Sequence, residues 1–431
     1  MLNRQYRIPA LASSAALLLT LGTAPALAGG FAEQISKAVN QGDIDLMFRY
    51  RYENVDQDPL GKDADASTLL SRITVKSGMV RGFSGLVEVD NVSYLGGESF
   101  NNTANGKTQY PVVADPDYTQ VNQAWLGYII NRNARVSAGR QRINHSSERF
   151  LGGVAWRQNE QTFDSARAQL TPLPGLTVDY SYIWRINRVF DPDTDLGDFP
   201  GNTALGEYEG DNHAVYAGYD LGGGHSLAGF GYLLDIDELP NLSSRTWGIE
   251  YKGTAKVSAD VALGINLSAA RQYDSGDSAL DYSAPYYFGE GNAMMTPVRI
   301  SGGAAQPIPL VFGVGYEVLG SDDGVAFQTP LATLHKFQGF ADKFLVTPPD
   351  GIRDGYLKAG ITLYGVAVTA FYHDFESDRG SDDYGDEIDL VANYPINANF
   401  SAMLKYASYR EGDLASARDT DKLWLMLTAT F

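Results

Sequence analysis

Cysteine is absent from the 431-residue sequence, and histidine occurs only five times. A secreted protein of this size without cysteine has a large core or a closed sheet, because it folds without disulfide bonds. No His/Cys ligand set, phosphate-binding glycine loop or G-x-S-x-G nucleophile motif occurs. The His145-Ser146 neighbours alone do not form a catalytic triad, since adjacent strand residues point to opposite faces. The sequence therefore predicts no enzymatic activity and no cofactor.

Basic residues are also in short supply: 33 Lys and Arg stand against 52 Asp and Glu, for a formal net charge of −19. Proteins that bind nucleic acid need a basic surface, so the composition predicts no nucleic-acid partner. Net charge does not report on the interior of a channel, because acids in outer loops can coexist with a basic lumen.

The first 28 residues have the features of a cleaved signal peptide. Arg4 and Arg7 precede an apolar run over residues 10–24, and Ala26-Leu27-Ala28 offers small residues before a cut at Gly29. We predict a signal peptide over residues 1–28 and a short periplasmic segment over 29–41, which has apolar residues at helical spacing.

After residue 28, no stretch approaches the roughly 20 consecutive apolar residues of a membrane helix. Instead, segments of about ten residues alternate in polarity, as in membrane barrels with a wet interior. In the last segment, Leu423, Leu425, Leu427, Ala429 and Phe431 share one face. An apolar strand running to a terminal aromatic resembles the signal that outer-membrane barrel assembly recognises; the alternative is an edge strand of a soluble sheet, which would be prone to aggregation.

The pattern predicts an all-β, transmembrane antiparallel barrel of about 18 strands over residues 42–431, with long external or inward-folding loops. Sixteen strands is the alternative, because residues 290–308 are ambiguous. The predicted strands are 42–53, 69–80, 82–94, 119–130, 134–143, 161–170, 175–187, 211–220, 225–235, 243–253, 257–272, 281–289, 309–319, 354–364, 366–376, 384–394, 398–409 and 421–431. Tight turns are predicted at 81–82, 131–133, 222–224 and 253–256.

Two stretches resemble the alginate export family of outer-membrane barrels. One contains Gly139-Arg140-Gln141-Arg142, Glu148-Arg149-Phe150-Leu151-Gly152 and Trp156-Arg157-Gln158-Asn159; the other runs from Pro330 to Phe344. The resemblance implies an eighteen-stranded monomeric barrel with loops folded inward and an Arg/Lys-lined constriction for an anionic polysaccharide. It does not imply that this chain exports alginate.

Basic residues on the inward faces or in the family-like segments are the candidates for a pore constriction, because rings of basic groups select anions. They are Arg49, Arg51, Arg72, Arg140, Arg149, Arg157, Arg167, Arg185 and Lys343. The alternative is that acids on the same faces neutralise them. The aromatic residues Phe150, Trp156, Phe337 and Phe340 either form a stacking surface for sugar rings or pack a loop against the wall. Asp191, Asp193 and Asp195 partly match a calcium loop, but solvated external acids explain them equally well.

These features together predict a passive channel in the outer membrane of a Gram-negative bacterium, passing anionic polysaccharide or small solutes. The expected partners are outer-membrane lipid, the barrel-assembly machinery through the strand ending at Phe431, and the solute. A general or substrate-specific uptake porin unrelated to alginate is one alternative. A non-transport surface barrel, such as an adhesin or a lipid-active enzyme, is another.

Overall fold

The computed structural model describes residues 33–34, 36–194, 204–301 and 304–431. The predicted signal peptide and Asp195 lie outside these residues. Residues 36–40 are helical, as the apolar spacing predicted. Among the described residues, no helix is long and apolar enough to cross a bilayer.

Eighteen antiparallel strands form one closed sheet, which confirms the larger of the two predicted strand numbers. Their bounds are β1 Asp43–Gln57, β2 Ala64–Lys76, β3 Phe83–Tyr94, β4 Thr119–Asn131, β5 Ala134–Gln141, β6 Thr162–Leu173, β7 Leu176–Asn187, β8 Glu207–Gly222, β9 His225–Leu234, β10 Ser244–Lys256, β11 Val261–Asp274, β12 Ser283–Met295, β15 Leu310–Leu319, β18 Ile352–Leu363, β19 Val366–Glu376, β20 Asp383–Pro395, β21 Phe400–Arg410 and β22 Thr420–Thr430. The short hairpins β13–β14 (Val298–Ser301, Ala304–Pro307) and β16–β17 (Ser321–Asp322, Val325–Ala326) stand apart from this sheet.

The first and last strands close the barrel. β1 pairs with β22 in a register that sets Met47 opposite Thr430 and Gln57 opposite Thr420. The backbone N–H of Phe431 donates to the carbonyl of Leu46 at 2.9 Å, so pairing continues to the last residue. Closure leaves the terminal strand without a free edge, which removes the aggregation problem that an apolar edge would create.

The ambiguous stretch, residues 290–308, contains the end of β12 and the β13–β14 hairpin. β12 continues to Met295, and the β13–β14 hairpin fills the connection to β15. One predicted turn is wrong: β10 runs through to Lys256 and pairs with Ala262 there, so the reversal lies over residues 257–260. The predicted turn at 81–82 is confirmed, with Arg81 and Gly82 both at positive φ.

Short turns lie at the rim where β1 begins and β22 ends, and the longer loops lie at the opposite rim. In bacterial barrels the short turns are periplasmic and the long loops extracellular. Leucine, valine and aromatic side chains face outward along the strands and are exposed, such as Phe48, Leu126, Val314 and Leu425. The buried apolar cluster lies inside the barrel instead, around Phe150, Phe230, Tyr286 and Phe327.

Candidate functional site

Two long loops fold into the lumen and contact each other there. We call the β5–β6 connection, residues 142–161, loop A, and the β15–β18 connection, residues 320–351, loop B. The backbone N–H of Gly152 donates to the carbonyl of Leu331 at 2.9 Å, and the N–H of Thr333 donates to that of Glu148 at 2.9 Å. Most of the first family-like stretch and all of the second lie on these loops.

Loop B is also fixed to the barrel wall. The N–H groups of Phe340 and Ala341 donate to the carboxylates of Asp389 and Glu387 on β20, at 3.1 and 2.7 Å. The ring of His335 lies flat against that of Trp156 from loop A, with centroids 4.2 Å apart and planes 7° apart. Trp156 and the buried Phe150 pack against neighbours rather than lining open space.

Arg157 of loop A lies where loop A, loop B and the wall meet. Its guanidinium is 3.3 Å from Glu53 of β1 and 3.2 Å from Asp342 of loop B. Burial alone lowers the pKa of Arg157, but the surrounding carboxylates outweigh it and raise the pKa above its ordinary value. Arg157 therefore stays positively charged and forms ion pairs with Glu53 and Asp342.

Asp342 has two further partners. Its carboxylate accepts from Nζ of Lys422 at 2.9 Å and from Nδ1 of His335 at 2.8 Å. Burial opposes ionisation, but His335 and Lys422, followed by Arg157, hold the pKa of Asp342 well below its usual range. Nε2 of His335 accepts from Nζ of Lys405 at 3.0 Å. Burial, reinforced by the charge of Lys405, holds the pKa of His335 well below its ordinary value, so the imidazole is neutral.

Arg149 is the second buried arginine of loop A. Its Nε donates to Glu317 of β15 at 2.7 Å, Nη1 donates to Thr329, and Nη2 donates to Gln338. With 2% of its surface exposed, it offers little surface to a passing solute. Its immediate role is to join the two loops to the wall.

The predicted inward arginines of β1 and β2 do face the lumen, where each is occupied. Arg49 donates to Gln158 at 2.9 Å and to the backbone of loop A. Arg51 pairs with Asp115 at 3.0 Å and lies over the Trp156 ring. Arg72 pairs with Asp90 at 2.6 Å and with Glu160 at 2.8 Å. The contacts of Arg51 and Arg72 match the alternative in which inward acids neutralise the arginines, whereas Arg49 contacts an amide and backbone carbonyls.

Arg167 of β6 also faces inward, and its Nε donates to Asp179 at 2.8 Å. Two other candidates require correction. Register shifts at Asp164/Ser165 and Ile183/Arg185 interrupt the β6–β7 ladder. The bulge in β7 reverses its side-chain alternation, so Arg185 faces outward. Arg140 faces outward as well, because it shares the parity of the exposed Val136 on β5. Arg140 pairs there with Asp164 at 2.8 Å, and Arg185 pairs with Glu207 and Glu209.

Lys343, like Arg49, has no described carboxylate within ion-pair distance. Nζ donates to Gln57 at 3.2 Å and to Thr420 at 2.8 Å. Burial, followed by the charge of nearby Lys422, lowers the pKa of Lys343 to about 8. This lysine is therefore available to an anion, and its charge depends on pH in the neutral to mildly alkaline range.

Lys343 lines a cavity of about 530 Å³ under the long loops, which we call the outer vestibule. Arg157, Arg188 and Lys422 line it as well, and Asp342 is its one carboxylate residue. Sequence reasoning did not select Arg188, which lies in a long loop, or Lys422, although the parity of β22 places Lys422 inward. The vestibule has a basic lining, which suits a carboxylate or another anion.

A second cavity of about 390 Å³, the inner chamber, lies on the other side of loop B. Its lining combines Phe288, Phe337, Phe340 and Phe371 with Lys252 and Lys336 and with acids such as Glu250 and Glu290. Residues 334–343 of loop B separate the two cavities, since the lining of the chamber includes 336–340 and that of the vestibule includes 334–335 and 341–343. Phe337 and Phe340 thus line open space, and their stacking against sugar rings stays a prediction.

Comparison with known proteins agrees with this architecture. The family model for alginate export matches residues 41–184, which covers the first family-like stretch but not the second. Pseudomonas aeruginosa OccK9 (OpdG) superposes with a TM-score of 0.69 at 17% identity, covering 91% of this chain and 99% of that one. The fold is that of the Occ porins.

Two further solved structures are similar. Acinetobacter baumannii OccAB4 has a TM-score of 0.69 at 14% identity over 91% of this chain and 98% of its own. P. aeruginosa OpdK, solved with vanillate, has a TM-score of 0.67 at 15% identity over 91% and 99%. No curated protein matches the sequence. The porin-type barrel is thus shown by structure, and the alginate export resemblance by sequence over one third of the chain.

The calcium candidates lie in the β7–β8 connection. The N–H of Asp193 donates to Oδ1 of Asp191 at 2.9 Å, which is an ordinary Asx-type turn contact. Across the described parts of the chain, no group of three acidic, His or Cys residues has the arrangement of a metal site. The third candidate, Asp195, lies outside the described residues.

Proposed function

We propose that this chain is a passive outer-membrane channel that prefers small solutes bearing a carboxylate. The observation that carries the proposal is the outer vestibule, where Arg157, Arg188, Lys343 and Lys422 surround a single carboxylate residue. Within this group, Lys343 has no described carboxylate within ion-pair distance. The porin-type fold and the partial family match support an outer-membrane location and a monomeric channel.

The division of the lumen by loop B favours small solutes over a polymer. The two loops are joined by backbone hydrogen bonds, by the hydrogen bonds of Arg149 to Thr329 and Gln338, and by the Arg157–Asp342 pair. An extended polysaccharide would have to pass a partition that these contacts hold across the lumen. A solute of metabolite size needs only the space that two cavities of about 390 and 530 Å³ already provide.

Export of an anionic polysaccharide is the second candidate, and the family match over residues 41–184 favours it. Arginine forks bind carboxylates bidentately, so the arginines of loop A suit a polyuronate if loop B swings aside. A variant lacking residues 331–343 distinguishes the two candidates. Polymer passage through the intact channel supports export, whereas passage only through the shortened variant supports the small-solute channel.

Planar-bilayer recording tests the transport proposal directly. We expect the folded protein to open channels with a permeability ratio favouring chloride and small carboxylates over potassium. Lys343→Gln reduces that ratio, whereas Lys62→Gln in the β1–β2 loop leaves it unchanged. A folded protein with no conductance at any voltage contradicts the channel function and favours a surface barrel. If the wild-type protein prefers cations, this contradicts the proposed preference for carboxylates but leaves the channel function standing.

A further inference from the structure

The outer wall of the barrel carries a groove that the channel function does not use. It has a volume of about 590 Å³ and lies on the membrane-facing side of β8 to β11. Small outward residues form its floor, namely Val215, Ala217, Gly229 and Ala269. Register places Ala217 opposite Gly229 and Ile249 opposite Ala269, so these residues are neighbours on one face.

Glycine leaves the groove unfilled at its centre. A Cβ added to Gly229 would meet nothing closer than a backbone oxygen at 4.0 Å, so the space above it is open. At Gly231, an added Cβ would lie 2.3 Å from the ring of Trp247, which shows that this ring lies over Gly231 and forms the side of the groove. The groove is thus an apolar surface depression beside an exposed tryptophan.

Two arginines lie at the long-loop end of this groove, both outward and exposed. Arg245 is the second residue of β10, and Arg271 is near the end of β11. Arg245 is opposite Tyr273 and Trp247 is opposite Arg271, so the two arginines are diagonal neighbours. Diagonal neighbours on adjacent strands lie about 7–8 Å apart, within reach of one headgroup.

Neither arginine has an acidic partner among the described residues. Arg271 donates from Nε to Oγ of Ser283 at 2.8 Å, and Arg245 lies over the Tyr273 ring at 5.4 Å. Other outward arginines near this rim are paired with carboxylates: Arg140 with Asp164, Arg185 with Glu209, Arg353 with Asp378, and Arg410 with Asp421. The pair above the groove is therefore an exception.

We propose that this surface binds a phosphorylated glycolipid of the outer leaflet. The groove faces the membrane, so its occupant is a lipid, and the long-loop rim places the arginines at the extracellular headgroup level. Planar guanidinium groups bind phosphate bidentately, which favours a phosphate-bearing headgroup. An acyl chain fills the groove over Gly229, and Trp247 lies at the interface, where tryptophan is enriched.

This inference rests on one part of the proposed function, the outer-membrane location, and does not depend on whether the barrel conducts solutes. Its test is native mass spectrometry of the folded, full-length mature protein in detergent, titrated with bis-phosphorylated lipid A. We expect one bound lipid, and binding roughly 100-fold weaker in the double variant Arg245→Gln, Arg271→Gln, since each charge-assisted contact contributes about tenfold. Arg410→Gln removes a paired outward arginine and leaves binding unchanged.

The groove is tested separately from the charges. Gly229→Leu fills the groove without a backbone clash, and we expect it to weaken lipid A binding severalfold. Gly291→Leu is the matched control, because Gly291 faces outward on β12 with nothing within 4 Å of an added Cβ. Heat-modifiable gel mobility confirms that each variant is folded before its binding is compared.

Two arms with wild-type protein need no variant. Dephosphorylated lipid A should bind at least tenfold more weakly than the phosphorylated form, and so should phosphatidylglycerol. Equal binding of either lipid, or equal binding by the double variant, overturns the proposal. A dimer that excludes lipid from this face overturns it as well. Conductance is recorded in phospholipid bilayers that lack lipid A, so it is measured independently of lipid A binding. A protein that conducts no ions but still binds lipid A contradicts only the channel function.

Discussion

The paired arginines of the lumen differ in their partners from the two arginines above the membrane-facing groove. Inside, Arg51, Arg72, Arg149 and Arg157 are each paired with carboxylates, and little of their surface meets water. Outside, above the membrane-facing groove, Arg245 and Arg271 have no acidic partner in the described chain. An unpaired charge is very costly to bury, whereas an arginine at the membrane interface keeps its charge at little cost. The surroundings of each arginine therefore decide whether it forms an internal ion pair or stays available to a ligand.

Removal of a lumenal arginine should have the largest effect. Arg157→Met leaves Glu53 and Asp342 with one cation fewer in a buried site, and loss of one partner of a buried pair costs about 3–5 kcal/mol. We expect the free energy of unfolding to fall by about that amount, measured by denaturant titration in micelles. Arg185→Met, which breaks a partly exposed pair, should cost about 1 kcal/mol or less. Equal losses would contradict the comparison between the two sides.

The second prediction concerns the acid of the outer vestibule. Asp342→Asn removes the single carboxylate residue of that lining, so Arg157 and Lys422 lose a shared counter-charge. We expect the anion-to-cation permeability ratio to rise about fivefold, which corresponds to about 1 kcal/mol at the effective dielectric of a protein surface. Bi-ionic reversal potentials measure this ratio. An unchanged ratio would mean that solutes do not pass the vestibule.

The third prediction is a pH dependence. Because the pKa of Lys343 is about 8, its ammonium is charged at lower pH and loses its charge as the pH rises through that value. Anion preference should therefore fall between about pH 7 and pH 9, by roughly twofold for one vestibule charge. Lys343→Gln should abolish this pH dependence. A wild-type preference that stays constant over the range would show that Lys343 does not face the permeating ion.

The smallest effect is expected on the outside of the barrel. In detergent without lipid A, the double variant Arg245→Gln, Arg271→Gln should change the free energy of unfolding by less than about 1 kcal/mol, as is typical of exposed charges. Denaturant titration measures this change beside that of Arg157→Met. A loss as large as that of the lumenal variant would indicate a structural role for the outer pair and would remove the contrast.

Most of the wall could be predicted from sequence. Alternation along β1 correctly assigned Arg49 and Arg51 to the lumen and Phe48 and Tyr50 to the membrane. The same rule was wrong at Arg185, because the bulges near Asp164 and Ile183 shift the register by one residue. A bulge is an outcome of pairing between strands, and nothing in the alternation along a single strand reveals it.

The sequence by itself determined the barrel, its strand number within two, and the closing strand at Phe431. The physical reason is local: lipid outside and water inside impose a period of two on each strand, and that period is visible in the residue order. Only the tertiary structure decided which charges stay available. Arg157 meets Asp342 although 185 residues separate them in the chain, and Lys343, the next residue, meets no described acid. Such pairings arise from how two loops fold into one lumen, and neighbouring residues in sequence can have opposite outcomes there.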